Sequence, residues 1–131
     1  HAADGELVEA IVSEGNRGRL TQALLLTREL ISRHPGCKHG YMLQGQLHLS
    51  QGSYEDAIAA FRRTIFIDGN DVIARYWYAM SLQGAGLIEP TMRQLGEILR
   101  QLQKRNDDVL DQQVACSELK RAVEQLMESL S

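Results

Sequence analysis

Three glycines at a constant spacing of 34 residues constrain this chain more than any other feature of its sequence. They are Gly18, Gly52 and Gly86. The positions around them keep the same phase, because an apolar residue stands two positions after each glycine and a small residue five positions after it. A fixed period of about 20 to 50 residues is typical of repeat proteins. The spacing therefore predicts one structural unit that occurs three times.

The composition favours a folded, soluble, all-helical domain. Of the 131 residues, 44% are apolar and 24% are charged, which suits one packed core rather than a disordered chain. Only two prolines and 5% aromatic residues are present, and no segment alternates apolar with polar residues over the length of a strand. We therefore expect helices throughout and no strand.

The boundaries of the repeats follow from the glycine phase and from turn residues. Counting each glycine as position 15 gives repeats over about 4–37, 38–71 and 72–105. Turn residues separate the repeats at 34–36 and 68–71, where Pro, Gly, Asn and Asp cluster. Six helices are predicted, over residues 5–16, 20–33, 38–51, 54–67, 72–84 and 89–104.

Two helix starts carry local signals. Ser53, with Asp56 three residues on, has the form of a capping box for the fourth helix. Pro90 falls in the first turn of the sixth helix, where a missing N–H is tolerated.

A seventh helix is predicted over about 113–130, after a break at 106–108. Its apolar residues recur at helical spacing, as an amphipathic helix requires: Leu119, Val123, Leu126 and Leu130. Stacked repeats need their last apolar face covered, so this helix is expected to cap the stack. The alternatives are that it occupies a groove of its own chain or of a second copy.

The repeat pattern resembles the tetratricopeptide repeat (TPR), a helix-turn-helix unit of 34 residues. The resemblance implies three such repeats in a right-handed superhelix, followed by the seventh helix, with an inner face that holds a peptide or helix of a partner protein. One departure concerns position 4, where the family's Trp is replaced by Leu7, Tyr41 and Arg75.

The inner face is predicted to be largely apolar. In a TPR stack it is lined by positions 2, 5, 9 and 12 of each first helix, which share one face through their spacing of 3, 4 and 3 residues. The predicted partner-binding residues are Val8, Val12, His39, Met42, Leu43, Gln46, Ile73, Tyr76, Trp77 and Met80. Their alternative role is core packing between repeats.

The resemblance also argues against one type of TPR ligand. Some TPR domains clamp the free carboxylate of a chaperone tail with Lys and Asn side chains on this face. The corresponding positions here are all apolar: Val8, Val12, Leu43, Ile73 and Trp77. We therefore expect an apolar helix or extended segment as the partner rather than a carboxylate terminus.

The sequence gives little support to other classes of function. The segment 34–39 holds His34, Cys37 and His39, but a tetrahedral zinc site needs four well-spaced ligands, and an inter-repeat turn explains the segment better. No phosphate-binding motif or nucleophile with a supporting base is recognisable. The net charge of −3 and scattered basic residues disfavour nucleic acid, and no apolar run is long enough to cross a membrane. We expect a non-catalytic, cytoplasmic protein without cofactors.

A more specific resemblance concerns the second half of the chain. The stretch AFRRTIFIDGNDVIARYWYAMSLQGAG at 60–86, with SELKRAVEQLM at 117–127, is similar to the C-terminal TPR portion of bacterial CheR-type chemoreceptor methyltransferases. It implies a module that regulates a receptor methyltransferase in a chemosensory pathway, such as a motility pathway of gliding bacteria, with a chemoreceptor as partner. The S-adenosylmethionine site would lie in a domain before residue 1. The rival roles are an assembly or secretion chaperone and an enzyme domain in its own right.

Overall fold

The structure, a computed structural model, describes residues 2–105 and 116–130, and these form seven α-helices. The helices are α1 (Ala2–Asn16), α2 (Leu20–Arg33), α3 (Lys38–Ser50), α4 (Tyr54–Ile67), α5 (Val72–Gly84), α6 (Ile88–Leu102) and α7 (Cys116–Leu130). No strand occurs within those two ranges, so the all-α prediction is confirmed. The expected break at 106–108 and the first residues of the seventh helix lie outside the described residues.

Each of the three spaced glycines closes a turn between two helices in the left-handed conformation. Their φ angles are 76°, 74° and 80° for Gly18, Gly52 and Gly86. At the second turn the Gly52 N–H donates to the carbonyl of Leu49 at 3.0 Å, and the Ser53 N–H donates to the carbonyl of His48 at 2.9 Å. These bonds satisfy carbonyls at the end of α3 that have no partner within the helix. The turn needs glycine because a Cβ disfavours positive φ.

The capping box predicted at Ser53 does not form. Its side chain makes no capping hydrogen bond, and its backbone lies at φ −83° and ψ 71°. The Schellman-type turn that precedes α4 sets this backbone conformation, and Arg19 and Leu87 adopt nearly the same one before α2 and α6. A side-chain cap forms instead at α5, where the Asp71 carboxylate accepts from the Ala74 N–H at 2.9 Å.

The helices pair as three hairpins, α1 with α2, α3 with α4 and α5 with α6, and each second helix also packs on the next first helix. The pairing requires small residues where the helices approach most closely. A Cβ placed on Gly45 would lie 2.6 Å from the ring of Phe61, which is itself fully buried. Ala57 and Ala79 are likewise fully buried. The small positions of the repeat thus have a steric cause.

The α7 helix packs on α6, in the place where the first helix of another repeat would lie. Its Leu119 and Val123 are buried in one core cluster with residues of α5 and α6, namely Val72, Ala79, Leu95, Ile98 and Leu102. This position covers the apolar face of the last repeat. Of the places considered for this helix, the structure shows the cap.

We predict that Gly52→Ala lowers the free energy of unfolding by about 1–2 kcal/mol, because alanine is strained at φ 74°. Gly96→Ala is the matched control. Gly96 lies inside α6, and a Cβ there would meet no atom within 4 Å. Alanine should therefore stabilise the protein there by up to about 1 kcal/mol. Urea unfolding followed by circular dichroism measures both, and equal effects of the two changes would contradict the role of the turn.

A second prediction concerns the cap. Val123→Ala should lower the free energy of unfolding by about 1–3 kcal/mol, since Val123 is fully buried between α7 and the last repeat. Glu124→Ala, at an exposed position of the same helix, should change it by less than about 0.5 kcal/mol. If Val123→Ala were as silent as Glu124→Ala in the same urea titration, α7 would not be part of the cooperative fold.

Candidate partner-binding groove

A cleft of about 670 Å³ opens between α1, the end of α2 and the start of α3. Its apolar lining comes from both first helices and from the buried Leu30 of α2, and a few polar groups stand at its edge. The residues that line this first cleft are Asp4, Gly5, Val8, Leu30, His34, Cys37, His39, Gly40, Met42 and Leu43. The cleft is large enough to take side chains of a bound segment.

A second, smaller cleft of about 220 Å³ continues along the same two first helices. It is lined by Ile11, Val12, Gly15, Asn16, Leu43, Gln46, Leu47 and Ser50. Leu43 lines both clefts, so they adjoin. We call the surface formed by the residues of the two clefts the α1–α3 groove.

Six of the ten predicted partner-binding residues line the α1–α3 groove: Val8, Val12, His39, Met42, Leu43 and Gln46. Val12 is 45% exposed, so its side chain is accessible to a ligand. The structure thus brings these side chains together from α1 and α3. Their part in binding a partner stays a prediction.

The other four predicted residues lie on α5, away from the two clefts. Ile73 and Tyr76 pack against the core cluster that contains α7. Trp77 stands edge-on to Tyr76, with ring centroids 6.0 Å apart, and Met80 is half-buried. Core packing is not confined to α5, because two of the six residues that line the groove also pack against the buried cluster of α1 and α2: Val8 and Leu43.

Sequence reasoning missed Asp4, His34 and Cys37 as lining residues of the first cleft. The Nε2 of His34 donates to the Asp4 carboxylate at 2.8 Å, and an Arg33 guanidinium nitrogen lies 3.6 Å from the other carboxylate oxygen. The hydrogen bond from His34 lowers the pKa of Asp4 below its ordinary value of 3.8. No local pattern in the sequence marks this contact, because the two residues are 30 positions apart and only the hairpin of α1 and α2 brings them together.

The cations of the first helices are engaged elsewhere. The Lys38 Nζ donates to Asp68 at 2.6 Å and to Asp71 at 2.8 Å, at the turn before α5. Arg75 donates to the Gln94 side chain at 2.6 Å and to the Gly69 carbonyl at 3.0 Å. Among the described residues, no Lys or Arg lines either cleft of the groove. A carboxylate ligand would therefore find no Lys or Arg side chain in the lining of the groove.

The described residues offer no cluster of metal ligands and no membrane-spanning helix. Within residues 2–105 and 116–130, no three His, Cys, Asp or Glu side chains converge on a point where they could hold a metal ion. The thiol of Cys37 is free and exposed at the edge of the first cleft. No helix in the described part of the chain has the length and apolar character needed to cross a membrane.

The bonds of Lys38 predict a pH dependence of stability. The hydrogen bond from Lys38 lowers the pKa of Asp68 from 3.8. Partial burial opposes the charge on Lys38, but its bonds to Asp68 and Asp71 outweigh this and raise its pKa from 10.5. The stabilisation is therefore complete above pH 3.8 and below pH 10.5, and it is lost as the pH falls through the folded pKa of Asp68 or rises through that of Lys38.

Lys38→Met should accordingly destabilise the protein at neutral pH by about 1 kcal/mol, and the deficit should shrink in acid. Urea unfolding at a series of pH values measures it. Lys120→Met, at an exposed position of α7, is the control and should show no such deficit. A deficit for Lys38→Met that is unchanged at pH values well below 3.8 would show that the effect comes from packing and not from the ion pair.

Comparison with known families supports the repeat assignment. The family model of the tetratricopeptide repeat matches residues 8–72, which span α2, α3 and α4 with the flanking ends of α1 and α5. No curated protein matches the sequence.

Solved structures of low sequence identity share the fold. The type III secretion translocator chaperone SycD from Yersinia enterocolitica is 14% identical, with a TM-score of 0.84 over 99% of this chain and 92% of that chain. The TPR2B domain of yeast Sti1, in a complex with pHsp70, is 18% identical, with a TM-score of 0.82 over 99% and 97%. A T3SS complex from Aeromonas hydrophila is 12% identical, with a TM-score of 0.84 over 99% and 81%. At such identities the likeness shows the fold alone.

Proposed function

We propose that this tetratricopeptide repeat domain binds an apolar helix or extended segment of a partner protein in the α1–α3 groove, without catalysing a reaction. The observation that carries the proposal is the adjoining pair of clefts with an apolar lining and no Lys or Arg. Burial of apolar surface contributes about 25 cal/mol per Å² and is offset by the cost of ordering both partners. Met42 and Val12 are suited to such contacts, since Met adapts its shape and Val12 is already ordered by its helix.

The occupant is a segment other than α7. The buried apolar residues of α7, Leu119 and Val123, are already packed against α5 and α6 of the same chain. Moving α7 into the groove would expose the face that it covers on the last repeat, which includes Leu95 and Ile98. The α1–α3 groove is therefore available to a partner while the cap stays in place.

Two biological roles fit such a module. An assembly or secretion chaperone is favoured by the likeness of the whole chain to a type III secretion translocator chaperone and to a T3SS complex. Regulation of an attached receptor methyltransferase, with a chemoreceptor as partner, rests on the sequence resemblance of 60–86 and 117–127 and stays a prediction. Both roles use the same kind of groove, so one binding experiment tests the step that they share.

We predict that Val12→Asp strongly weakens binding of apolar peptides by the groove. The protein is immobilised and exposed to a random peptide library displayed on phage, and the enriched sequences are resynthesised for fluorescence anisotropy. A buried carboxylate opposite an apolar ligand costs enough free energy to weaken binding at least about tenfold. Val12 is 45% exposed in the free protein, so the fold should tolerate the change.

Leu25→Asp is the matched control. Leu25 is 53% exposed and lies on α2, outside both clefts. The Leu25→Asp variant carries the same added carboxylate but should bind the selected peptides with the affinity of the wild type. If the wild type enriched no apolar peptide, or if Val12→Asp bound the enriched peptides unchanged, the groove would not be the binding surface.

A further inference from the structure

We propose that the α1–α3 groove selects apolar segments flanked by Lys or Arg, because the α1 wall of the groove is acidic and has no cation. This inference rests on the proposed function and adds the charge of the partner to it. It follows from the charges of α1, the position of Glu9 beside the α1 residues that line the two clefts, and the hydrogen bonds of the nearby cations.

The α1 helix carries charge of one sign only. Its sequence, AADGELVEAIVSEGN, holds four acidic residues and neither Lys nor Arg. Glu14 lies 3.6 Å from Arg19 of the α1–α2 turn, and Asp4 is bonded to His34 and lies 3.6 Å from Arg33, so both of these carboxylates have basic partners. Glu6 and Glu9 are exposed. A ligand that lies along α1 therefore meets a negative field with no compensating cation from the same helix.

Glu9 is an exposed residue of α1 that lines neither cleft itself but lies beside residues that do. Gly5, which lines the first cleft, precedes it by four residues, and Val12, which lines the second, follows it by three. Residues at these spacings share one face of a helix. The Glu9 carboxylate therefore stands on the exposed side of the apolar stripe, within reach of a side chain that flanks a bound segment.

The cations that could neutralise this carboxylate lie on other surfaces. On α3 the one Lys is Lys38, which is bonded to Asp68 and Asp71. On α5 the one Arg is Arg75, which is bonded to Gln94 and Gly69. An acidic flank on a ligand would thus be repelled by α1 and find no free Lys or Arg on α3, whereas a basic flank would gain an ion pair with Glu9.

The test uses the peptides that the wild-type protein selects from the random library. The most enriched apolar peptide is resynthesised in two forms, with two lysines or with two glutamates at each end, and both are titrated by fluorescence anisotropy. We expect the lysine form to bind about two- to fivefold more tightly at low salt, the scale of one exposed ion pair. The difference should disappear in about 1 M salt, where charges are screened within ~3 Å.

Charge reversal at Glu9 separates local attraction from the net charge of the protein. Glu9→Lys should remove or invert the preference for the lysine form. Glu124→Lys makes the same change in net charge at an exposed position of α7 and should leave the preference intact. Circular dichroism spectra of both variants verify that the fold is unchanged.

The outcomes distinguish the two proposals. Equal binding of the two peptide forms, or a preference that Glu124→Lys alters as much as Glu9→Lys, overturns the charge selection. If the wild type nevertheless enriches apolar peptides and Val12→Asp no longer binds them, the proposed binding of apolar segments in the groove is supported, and only the charge selection is wrong. If the wild type enriches no apolar peptide, both proposals fail.

Discussion

The left-handed glycine that closes each hairpin is the constraint on which the rest of the structure depends. It reverses the chain within three residues and lets the next N–H bond back to the preceding helix, as the Ser53 bond to His48 shows. The second helix therefore leaves at a fixed angle in all three repeats, with ψ of 67°, 71° and 80° at the residue before it. That angle brings the two helices of a repeat close together, which requires small residues at their contact. It also sets the first helices side by side, with the groove between α1 and α3.

A second constraint is the contact between the two helices of each repeat at the end opposite the glycine turn. Each of the three repeats makes this contact with a different pair of side chains. The start of the first helix faces the end of the second, 30 residues later. In the first repeat this contact is Asp4 with His34, and in the second it is Lys38 with Asp68. In the third, Val72 and Leu102 belong to one apolar cluster. The same geometry thus accommodates an acidic residue at the start of the first helix with a basic residue after the second, the reverse arrangement, or two apolar side chains.

This closure has a consequence for the groove. Lys38 is used to hold the turn before α5, and Arg75 binds the same turn through the Gly69 carbonyl. The Lys of α3 and the Arg of α5 are therefore hydrogen-bonded within the protein. The acidic α1 is left as the charged wall of an apolar groove, which is the basis of the partner chemistry proposed above.

Sequence reasoning succeeded where the cause is local or periodic and failed where two distant segments meet. The helices were predictable because glycine spacing and apolar period act within one repeat, and the Gly45 contact with Phe61 follows from the same repeat. The capping box at Ser53 was wrong because the preceding turn, not the side chain, sets the backbone there. The packing of Ile73 and Tyr76 against the cluster that contains α7 residues was not predictable, since α6 and the segment after it separate α5 from α7 along the chain.

The sequence by itself determined the number of repeats, the helical class and the apolar character of the face formed by Val8, Val12 and Met42. These properties depend on the spacing of the glycines and apolar residues and on side-chain type, both of which can be read directly from the sequence. Only the tertiary structure decided that the groove lies between α1 and α3, that α7 covers the last repeat, and that Lys38 is bonded to Asp68 and Asp71. The physical reason is that burial and ion pairing depend on which distant side chains meet, and the packing of whole helices settles that.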